Sequence, residues 1–351
     1  MAKLIVEIKS KEMIKPCSPT PNHLKTLQLS FLDQFAPPVH MPFIFFYKAP
    51  ISQTADNLLK KSLSKTLVQF YPLAGRIEGN SWINCNDEGV VYCDAYVLCS
   101  LAEVIENLNY EELIRLLPFA PVHENKSIVA GVQVNHFRCG GMAIGVSISH
   151  KIADAATIAT FVNAWAANTG IKFDAASFFP PMNLDGMYDP ESIICKERMV
   201  TRRLIFDKDT INRIREQGVD GQQEKAPTRA ELVSAFLWKQ FINISKAQPT
   251  PPKFFGAIQV VNLRTIKTSP IGGNCYGNLF WSAVAHAPVE TETKYPEAIA
   301  KLRTAVKQID KNYLEQIKTG ECLLEMQNDH HSFSQGEANL CSFSSCIRFQ
   351  P

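Results

Sequence analysis

The sequence predicts a mixed α/β protein with two domains, and three features of the chain support this fold class. Short apolar runs typical of strands alternate with segments of helical periodicity along most of the length. The 351 residues suffice for two ordinary domains with substantial cores. The stretch 171–198 contains three prolines and little periodicity, which is typical of a connector. We therefore expect a first domain at 1–175, a connector at 176–198 and a second domain at 199–351.

In the first domain, the alternating or continuous apolar runs predict strands at 3–9, 39–47 and 89–97. Pro42 has no backbone N–H, so the strand 39–47 must lie at a sheet edge or contain a bulge. Thr54 is a candidate N-cap for a helix that continues to about residue 70. Apolar residues recur at helical spacing over 100–117, which predicts a second helix there.

The clearest local pattern is a β-hairpin followed by a helix. The runs 132–137 and 142–149 are strand-like, and Cys139-Gly140-Gly141 between them is a turn signal. The second strand leads directly into His150. A helix with a well-defined apolar side follows, and Gly170 stands at its expected C-cap.

In the second domain, Thr228 and Glu231 have the spacing of a capping box, which predicts a helix start. A polar loop at 218–226 precedes them. The remaining periodic segments predict strands at 200–206, 254–264 and 274–285, and helices at 207–217 and 296–318.

Composition excludes several classes of protein. The formal net charge of +2 gives no overall electrostatic reason to bind nucleic acid or an anionic membrane. No run of eighteen apolar residues is present, and the N-terminus lacks the apolar region and cleavage site of a signal peptide, so we expect a cytoplasmic protein. The ten cysteines form no CxxC pair and no zinc-like cluster, which predicts reduced, mostly buried thiols and no metal site.

Chemistry is suggested by the segment Ser149–Asp154, which contains a histidine and an aspartate four positions apart. His150 at the end of a buried strand can face a cleft, where a pKa near neutrality suits proton abstraction from an alcohol. A purely structural histidine at this junction is the alternative. Asp154 could orient the histidine or could cap the following helix.

Other catalytic motifs are missing. The segment Gly145–Ser149 lacks the second glycine of a GxSxG nucleophile elbow. Neither type of glycine-rich phosphate loop is present. His330-His331 could bind a metal, but a solvated loop is the simpler interpretation.

Motifs along most of the chain resemble those of the plant BAHD, or HxxxD-type, acyltransferases. His150-Lys-Ile-Ala-Asp154 is similar to the family's HxxxD motif. The other similar segments, in the family's order, are 63–77, 85–90, 164–167, 259–264 and 276–280. The opening segments, including SPTP at 18–21 and MPFIFFY at 41–47, are most similar to the vinorine synthase-like alkaloid acetyltransferases.

This resemblance implies a fold and a reaction. The fold would be two chloramphenicol-acetyltransferase-like domains with mixed sheets flanked by helices, with a channel between the domains. The chain would bind no resident cofactor and would use acyl-CoA, as acetyl-CoA, to acylate a hydroxyl of an alkaloid or related plant metabolite. His150 would be the general base, and no acyl-enzyme would form. The family also implies a monomer with no nucleic-acid or membrane partner.

The resemblance further implies roles for three residues. In the family, the motif's aspartate pairs with an arginine, which here predicts a structural ion pair between Asp154 and Arg264. Asn278 matches a position near the catalytic channel, and a turn residue after Gly277 is the alternative.

The family's DFGWG motif has no counterpart between residues 265 and 351. The sequence therefore predicts a C-terminally truncated chain with an incomplete second domain. One alternative function is a truncated, inactive remnant that binds a ligand or a paralogue. A condensation-type domain is another, although Ser149 stands where those domains carry a second histidine.

Overall fold

The computed structural model describes residues 4–48, 54–106, 109–122, 125–167, 173, 175–184, 188–192, 194, 200–218, 226–249, 251–266, 271–273, 275–288, 294–322 and 338–343. They form two units. The first comprises the described residues up to 201 together with 275–279, and the second comprises those of 202–273 and 280–343. The segment 275–279 thus belongs to the first unit although it lies in the range expected for the second domain. The domain limits 1–175 and 199–351 stay a prediction.

The first unit contains eight strands and six α-helices among its described residues. The strands are β1 Val6–Ile14, β2 Thr26–Gln28, β3 His40–Tyr47, β4 Arg76–Glu78, β5 Trp82–Asn84, β6 Val90–Val97, β7 Ala130–Phe137 and β8 Met142–Ser149. The helices are α1 Phe31–Phe35, α2 Thr54–Thr66, α3 Leu101–Glu106, α4 Tyr110–Leu113, α5 Ala155–Ala167 and α6 Ala175–Phe178.

A five-stranded mixed sheet organises this unit, in the order β1-β6-β7-β8-β3. Only the β6–β7 pair is parallel among its four pairings. The strand β3 is an edge strand of the described sheet, as Pro42 predicts, and Pro42 lies opposite Ser147. The predicted hairpin is confirmed as β7–β8, although β7 begins at Ala130, two residues before the predicted start at 132.

One face of this sheet supports the core that positions α2 and α5. Their buried side chains pack on the alternate, inward-facing residues of β7 and β8, because successive residues of a strand face opposite sides. The members of this core include Leu63 and Leu67 of α2, Ile158 and Phe161 of α5, and Val132, Val134, Val146 and Ile148 of the sheet. The junction between β8 and α5 is therefore held on both sides by buried apolar contacts.

The single helix expected at 100–117 is wrong. The chain there forms α3, α4 and a 3-10 turn at Ile114–Leu116. Asn109 begins α4 as an N-cap, since its side-chain oxygen accepts a hydrogen bond from the Glu111 N–H at 3.1 Å. Asparagine favours such caps over helix interiors, so the apolar spacing did not decide the structure.

The second unit contains helices α7 Lys208–Gly218, α8 Arg229–Lys246, α9 Tyr295–Gln308 and α10 Lys311–Thr319, with strands β9 Phe254–Asn262, β10 Phe280–Pro288 and β11 Ala338–Phe343. Its described sheet has the order β10-β9-β11, with β9 antiparallel to β10 and parallel to β11. The capping box is confirmed: the Thr228 N–H donates to Glu231 Oε2 at 2.6 Å, and the Glu231 N–H donates to Thr228 Oγ1 at 3.3 Å.

One prediction for the second unit is wrong, and two others are wrong in part. Residues 200–206 form no strand, and Leu204 and Ile205 are exposed, because strand propensity without a paired neighbour does not fix a ladder. The strand expected at 274–285 begins only at Phe280. The helix expected at 296–318 is divided at Asp310, which caps α10 by accepting from the Tyr313 N–H at 3.0 Å.

Each of the eight cysteines in the described part of the chain is a free thiol, as predicted. Within that same part, none of the helices has both the length and the apolar character that crossing a bilayer requires. Gly170 and His330-His331 lie outside the described residues.

Candidate active site

His150 follows the last residue of β8 and opens a turn that leads into α5. Its backbone N–H donates to the Val39 carbonyl at 2.7 Å, and the Ile152 N–H donates to the Ser149 carbonyl at 3.2 Å. Ser149 is buried, whereas His150 is only partly exposed. The buried strand therefore fixes the backbone of His150, and the residue itself stays partly accessible to solvent.

Asn278 is the residue that binds the His150 ring. Its Oδ1 lies 2.9 Å from His150 Nδ1, and its Nδ2 donates to the His150 carbonyl. The same Nδ2 donates to Asp33 Oδ1 at 2.9 Å, and the Asn278 backbone N–H donates to that oxygen at 2.8 Å. Asn278 is fully buried. The structure thus brings the predicted residues His150 and Asn278 together.

Asp33 anchors this arrangement from the first turn of α1. Ser30 is the N-cap of α1, and its Oγ and backbone N–H donate to Asp33 Oδ2 at 2.6 Å and 3.0 Å. Burial raises the pKa of the Asp33 carboxyl, while its hydrogen bonds to Ser30 and Asn278 oppose that rise. Four donors therefore fix the position of one buried carboxyl group.

The orientation of the Asn278 amide determines the tautomer of a neutral His150. The Asn278 Nδ2 donates to the His150 carbonyl, an oxygen atom that can only accept, which fixes which end of the amide is nitrogen. Asn278 Oδ1 must then accept, so His150 Nδ1 carries the proton. The lone pair of the neutral ring accordingly resides on Nε2.

The surroundings of His150 favour its neutral form. Burial lowers the pKa of the imidazole, and the hydrogen bond to Asn278 and the charge of Asp154 oppose that shift without reversing it. A ring with a pKa below the ordinary histidine value is deprotonated at neutral pH and can accept a proton.

The Asp154 side chain accepts hydrogen bonds from two backbone N–H groups. Its Oδ1 accepts from the Thr157 N–H at 2.8 Å, which makes it the N-cap of α5. Its Oδ2 accepts from the Leu279 N–H at 3.0 Å. Thr157 Oγ1 donates to the Gly277 carbonyl at 2.8 Å. The first turn of α5 thus holds the segment that carries Asn278.

Arg264 lies in the second unit, in a 3-10 turn at Leu263–Thr265 directly after β9. Its Nη1 donates to Asn262 Oδ1 at 3.3 Å. The ion pair with Asp154 stays a prediction.

Sequence reasoning missed two buried polar residues near the base. Asp33 could have been found only as a helix-start signal, because Ser30 and Asp33 have capping-box spacing. Lys151 is buried, and its Nζ donates to the Gln34 carbonyl at 2.9 Å and to Asn80 Oδ1 at 2.7 Å. Burial lowers the pKa of Lys151 to about 8.

A cavity of about 580 Å³ in the first unit lies between α2, α5 and the strands β3 and β8. Its lining is mostly apolar and includes Phe45, Leu59, Ile144 and Trp165. His150 is not among the lining residues. The cavity therefore does not mark the position of the candidate base.

Comparisons with known proteins identify relatives of this chain. Residues 4–350 match the Transferase family. The chain is 38% identical to vinorine synthase of Rauvolfia serpentina over 91% of this chain and 80% of the relative. It is 37% identical to stemmadenine O-acetyltransferase of Catharanthus roseus over 98% of this chain and 83% of the relative. The chain thus spans about four fifths of the length of these two relatives.

Solved structures agree with these sequence matches. A crystal structure of vinorine synthase superposes with a TM-score of 0.85 at 35% identity, covering 98% of this chain and 84% of the other. F. graminearum TRI101, solved with coenzyme A and T-2 mycotoxin, shares the fold at a TM-score of 0.67 and 15% identity, covering 93% and 84% of the two chains. The predicted α/β fold with two chloramphenicol-acetyltransferase-like domains and mixed sheets is confirmed. The chain belongs to the Transferase family, the BAHD acyltransferases, and is an acyltransferase.

Proposed function

We propose that this chain transfers an acyl group from acyl-CoA to a hydroxyl of an alkaloid or related plant specialised metabolite, with acetyl-CoA as the donor. Two relatives above 35% identity support the substrate class, since one is named vinorine synthase and the other stemmadenine O-acetyltransferase. A third, salutaridinol 7-O-acetyltransferase of Papaver somniferum, is 35% identical. The more distant TRI101 was solved with coenzyme A, which supports a coenzyme A thioester as co-substrate.

The observation that carries the proposal is the hydrogen-bonded series Asp33–Asn278–His150. Because Asn278 accepts from Nδ1, the imidazole presents Nε2 as its proton-accepting atom. Burial keeps the ring neutral at pH 7, the state that a general base needs. His150 is therefore the proposed general base, and Asn278 and Asp33 are positioning residues.

The proposed reaction proceeds in one ternary complex. Nε2 of His150 takes the proton of the acceptor hydroxyl while the oxygen attacks the thioester carbonyl. The tetrahedral oxyanion then collapses, the C–S bond breaks, and the proton passes from the imidazolium to the departing thiolate. General-base action of this kind contributes about 10²–10⁴-fold, and positioning of the reactants contributes much of the rest.

Asp154 is proposed as a structural residue of the site rather than a second base. Its two oxygens accept from the backbone of Thr157 and of Leu279, so it stabilises the loop of His150 and the neighbour of Asn278 together. The proposed partner Arg264 would add an ion pair to this support. A monomeric state and a cytoplasmic location stay predictions.

The alternative of an inactive remnant has no support from the comparisons, which relate the chain to named acetyltransferases over most of its length. The condensation-type alternative is likewise not favoured, because the family match covers residues 4–350.

The proposal is tested by incubating the purified chain with acetyl-CoA and a panel of hydroxylated indole alkaloids, and by measuring acetylated product and free thiol. We expect turnover by the wild type and a loss of about 10²–10⁴-fold in kcat/KM for His150→Ala. His23→Ala, at an exposed histidine outside the site, is the matched control and should retain activity. Turnover that survives His150→Ala contradicts the assignment of the base.

A further inference from the structure

A second cluster of ionisable side chains lies on the sheet of the first unit and takes no part in the proposed reaction. It consists of Asp56 in the first turn of α2, Asp94 of β6 and His136 of β7. His136 Nε2 lies 3.1 Å from Asp56 Oδ1 and 3.4 Å from Asp94 Oδ1. One potential ligand atom of each residue lies within 4.8 Å of the others.

Strand register explains why these residues meet. In the parallel pair β6–β7, Asp94 lies opposite Val134 and Tyr96 lies opposite His136. Asp94 and His136 are therefore diagonal neighbours on one sheet face, because alternate residues of a strand share a face. The same alternation places Tyr92 on this face, two residues before Asp94. Asp56 comes from the helix α2, which packs on this face of the sheet.

Three buried polar atoms at this cluster have no hydrogen-bond partner among the described residues, namely His136 Nε2, Asp56 Oδ1 and the Tyr92 hydroxyl. The distances from His136 to the carboxylates are short, yet neither contact has the geometry of a hydrogen bond. Tyr92 is fully buried. Burial first, and then the charges of Asp56, Asp94 and Glu12, raise the pKa of its phenol, so its hydroxyl lies within electrostatic range of the cluster.

Charge at the cluster is also unbalanced. With a neutral imidazole, Asp56 and Asp94 leave two negative charges. Lys60, one turn along α2, extends its Nζ over the Tyr92 ring, 5.2 Å from the centroid. That amine already pairs with Glu12 at 2.6 Å, so this pair adds no net positive charge. A divalent cation would neutralise the two carboxylates.

We propose that Asp56, Asp94 and His136 bind a zinc ion, with the Tyr92 hydroxyl beside the ion. Zinc binds imidazole nitrogen and carboxylate oxygen at about 2.0–2.2 Å in tetrahedral geometry, in which neighbouring ligand atoms are about 3.3–3.5 Å apart. The distances from His136 Nε2 to Asp56 Oδ1 and to Asp94 Oδ1 are close to this separation between neighbouring ligand atoms. Magnesium, by contrast, prefers octahedral coordination by oxygen alone. The side chains keep between a fifth and a third of their surface exposed, which gives the ion a path from solvent.

The proposed ion has a structural role. It would join the N-terminal turn of α2 to two strands of the central sheet, at residues separated by 38 and 42 positions in sequence. Because the ion binds the folded arrangement and not the unfolded chain, it would raise the melting temperature.

The test is a titration of the full-length, tag-free chain with zinc after treatment with EDTA and desalting, followed by calorimetry and thermal melting. We expect one zinc per chain, and a rise in melting temperature of about 4 °C when free zinc reaches 100 times Kd. Cobalt bound at the same site should give visible absorption bands without a thiolate charge-transfer band, since no cysteine belongs to the cluster. Magnesium should not raise the melting temperature.

His136→Ala and Asp94→Asn should each weaken zinc binding by more than about 100-fold, because loss of even an outer partner of a ligand costs about 10–100-fold. His23→Ala should bind zinc like the wild type. If His136→Ala loses its circular dichroism signal, Asp56→Asn in the first turn of α2 replaces it. Absence of saturable zinc binding, binding that these variants leave unchanged, or a thiolate band with cobalt overturns the proposal.

Discussion

The two histidines at opposite ends of the hairpin β7–β8 have contrasting surroundings. The ring of His150 is linked to the buried Asp33 carboxyl through the neutral amide of Asn278. His136 lies directly beside two half-buried carboxylates. An interposed amide fixes the tautomer of a histidine without placing a charge at its ring, so the ring stays neutral. Direct carboxylates instead concentrate negative charge at the ring, which suits a bound cation.

The largest expected effect comes from removing the amide. Asn278→Ala should lower kcat/KM about 100-fold, because the ring of His150 loses its fixed orientation. The hydrogen bond to Asn278 raises the pKa of His150, so its loss should lower that pKa further. The wild-type rate should increase with pH as the base deprotonates, and in the variant this rise should occur at lower pH. The measurement is the pH profile of kcat/KM.

Asn22→Ala, at an exposed asparagine, is the control for this variant and should match the wild type. A wild-type pH profile in Asn278→Ala would show that the amide does not act through the histidine.

Gly277→Ala should have the next largest effect, because it disturbs the segment that carries Asn278. Gly277 has φ of +136°, and an added Cβ would lie 2.8 Å from Ala175 Cβ. Unfavourable backbone conformation and overpacking together predict a loss of about 3 kcal/mol in the free energy of unfolding, measured with urea.

Gly79→Ala is the comparison, because it adds a side chain at positive φ without a close contact. Gly79 has φ of +57°, and its added Cβ would meet nothing within 4 Å. Gly79→Ala should lower the free energy of unfolding by only about 1–2 kcal/mol. Equal losses at the two positions would show that neither the contact with Ala175 nor the larger positive φ of Gly277 adds to the cost.

Lys151→Met tests whether burial of a charge beside the base costs stability. A pKa of about 8 in the folded chain against 10.5 in the unfolded chain corresponds to ~3 kcal/mol at pH 7. Two lost hydrogen bonds offset part of this, so we expect a net gain of about 1–2 kcal/mol. Between pH 8 and 10.5 the unfolded wild type binds more protons than the folded state, so its stability rises with pH relative to the variant.

Urea unfolding at pH 7 and pH 10 measures this difference, and the advantage of Lys151→Met should shrink at the higher pH. Lys307→Met, at an exposed lysine of α9, should show no such trend. If Lys151→Met were more stable than the wild type by the same amount at both pH values, the charge of Lys151 would not be the cause of the difference in stability.

Ser30→Ala should have the smallest effect. It removes the side-chain cap of α1 and one donor to Asp33, which predicts a loss of about 1 kcal/mol in the free energy of unfolding. Activity should fall only a few-fold, since three donors to Asp33 remain. A loss as large as that of Asn278→Ala would indicate that the cap, rather than the amide, positions His150.

Local signals in the sequence predicted local structure well. The turn residues Gly140 and Gly141 and the pair Thr228–Glu231 specify their elements through neighbours a few residues away. Where two local signals compete, as at Asn109 within the apolar spacing of 100–117, the cap decided the helix start. His150 and Asn278 were reached through resemblance to a family, not through spacing.

Contacts between distant parts of the chain could not be predicted. Asp33 and Asn278 are 245 positions apart, and nothing in either local sequence indicates the other. The cluster of Asp56, Asp94 and His136 has no recognisable spacing, since it depends on the β6–β7 register and on the packing of α2. For this reason the sequence predicted no metal site.

The return of residues 275–279 to the first unit sets an order of events during synthesis. Asn278 follows His150 by 128 residues, and at about 5–20 residues per second it leaves the ribosome roughly 6–25 s later. A nascent chain released before Asn278 would have the sheet and the histidine of the first unit but no partner for Nδ1. The proposed base can therefore become competent only after β9 of the second unit has been synthesised.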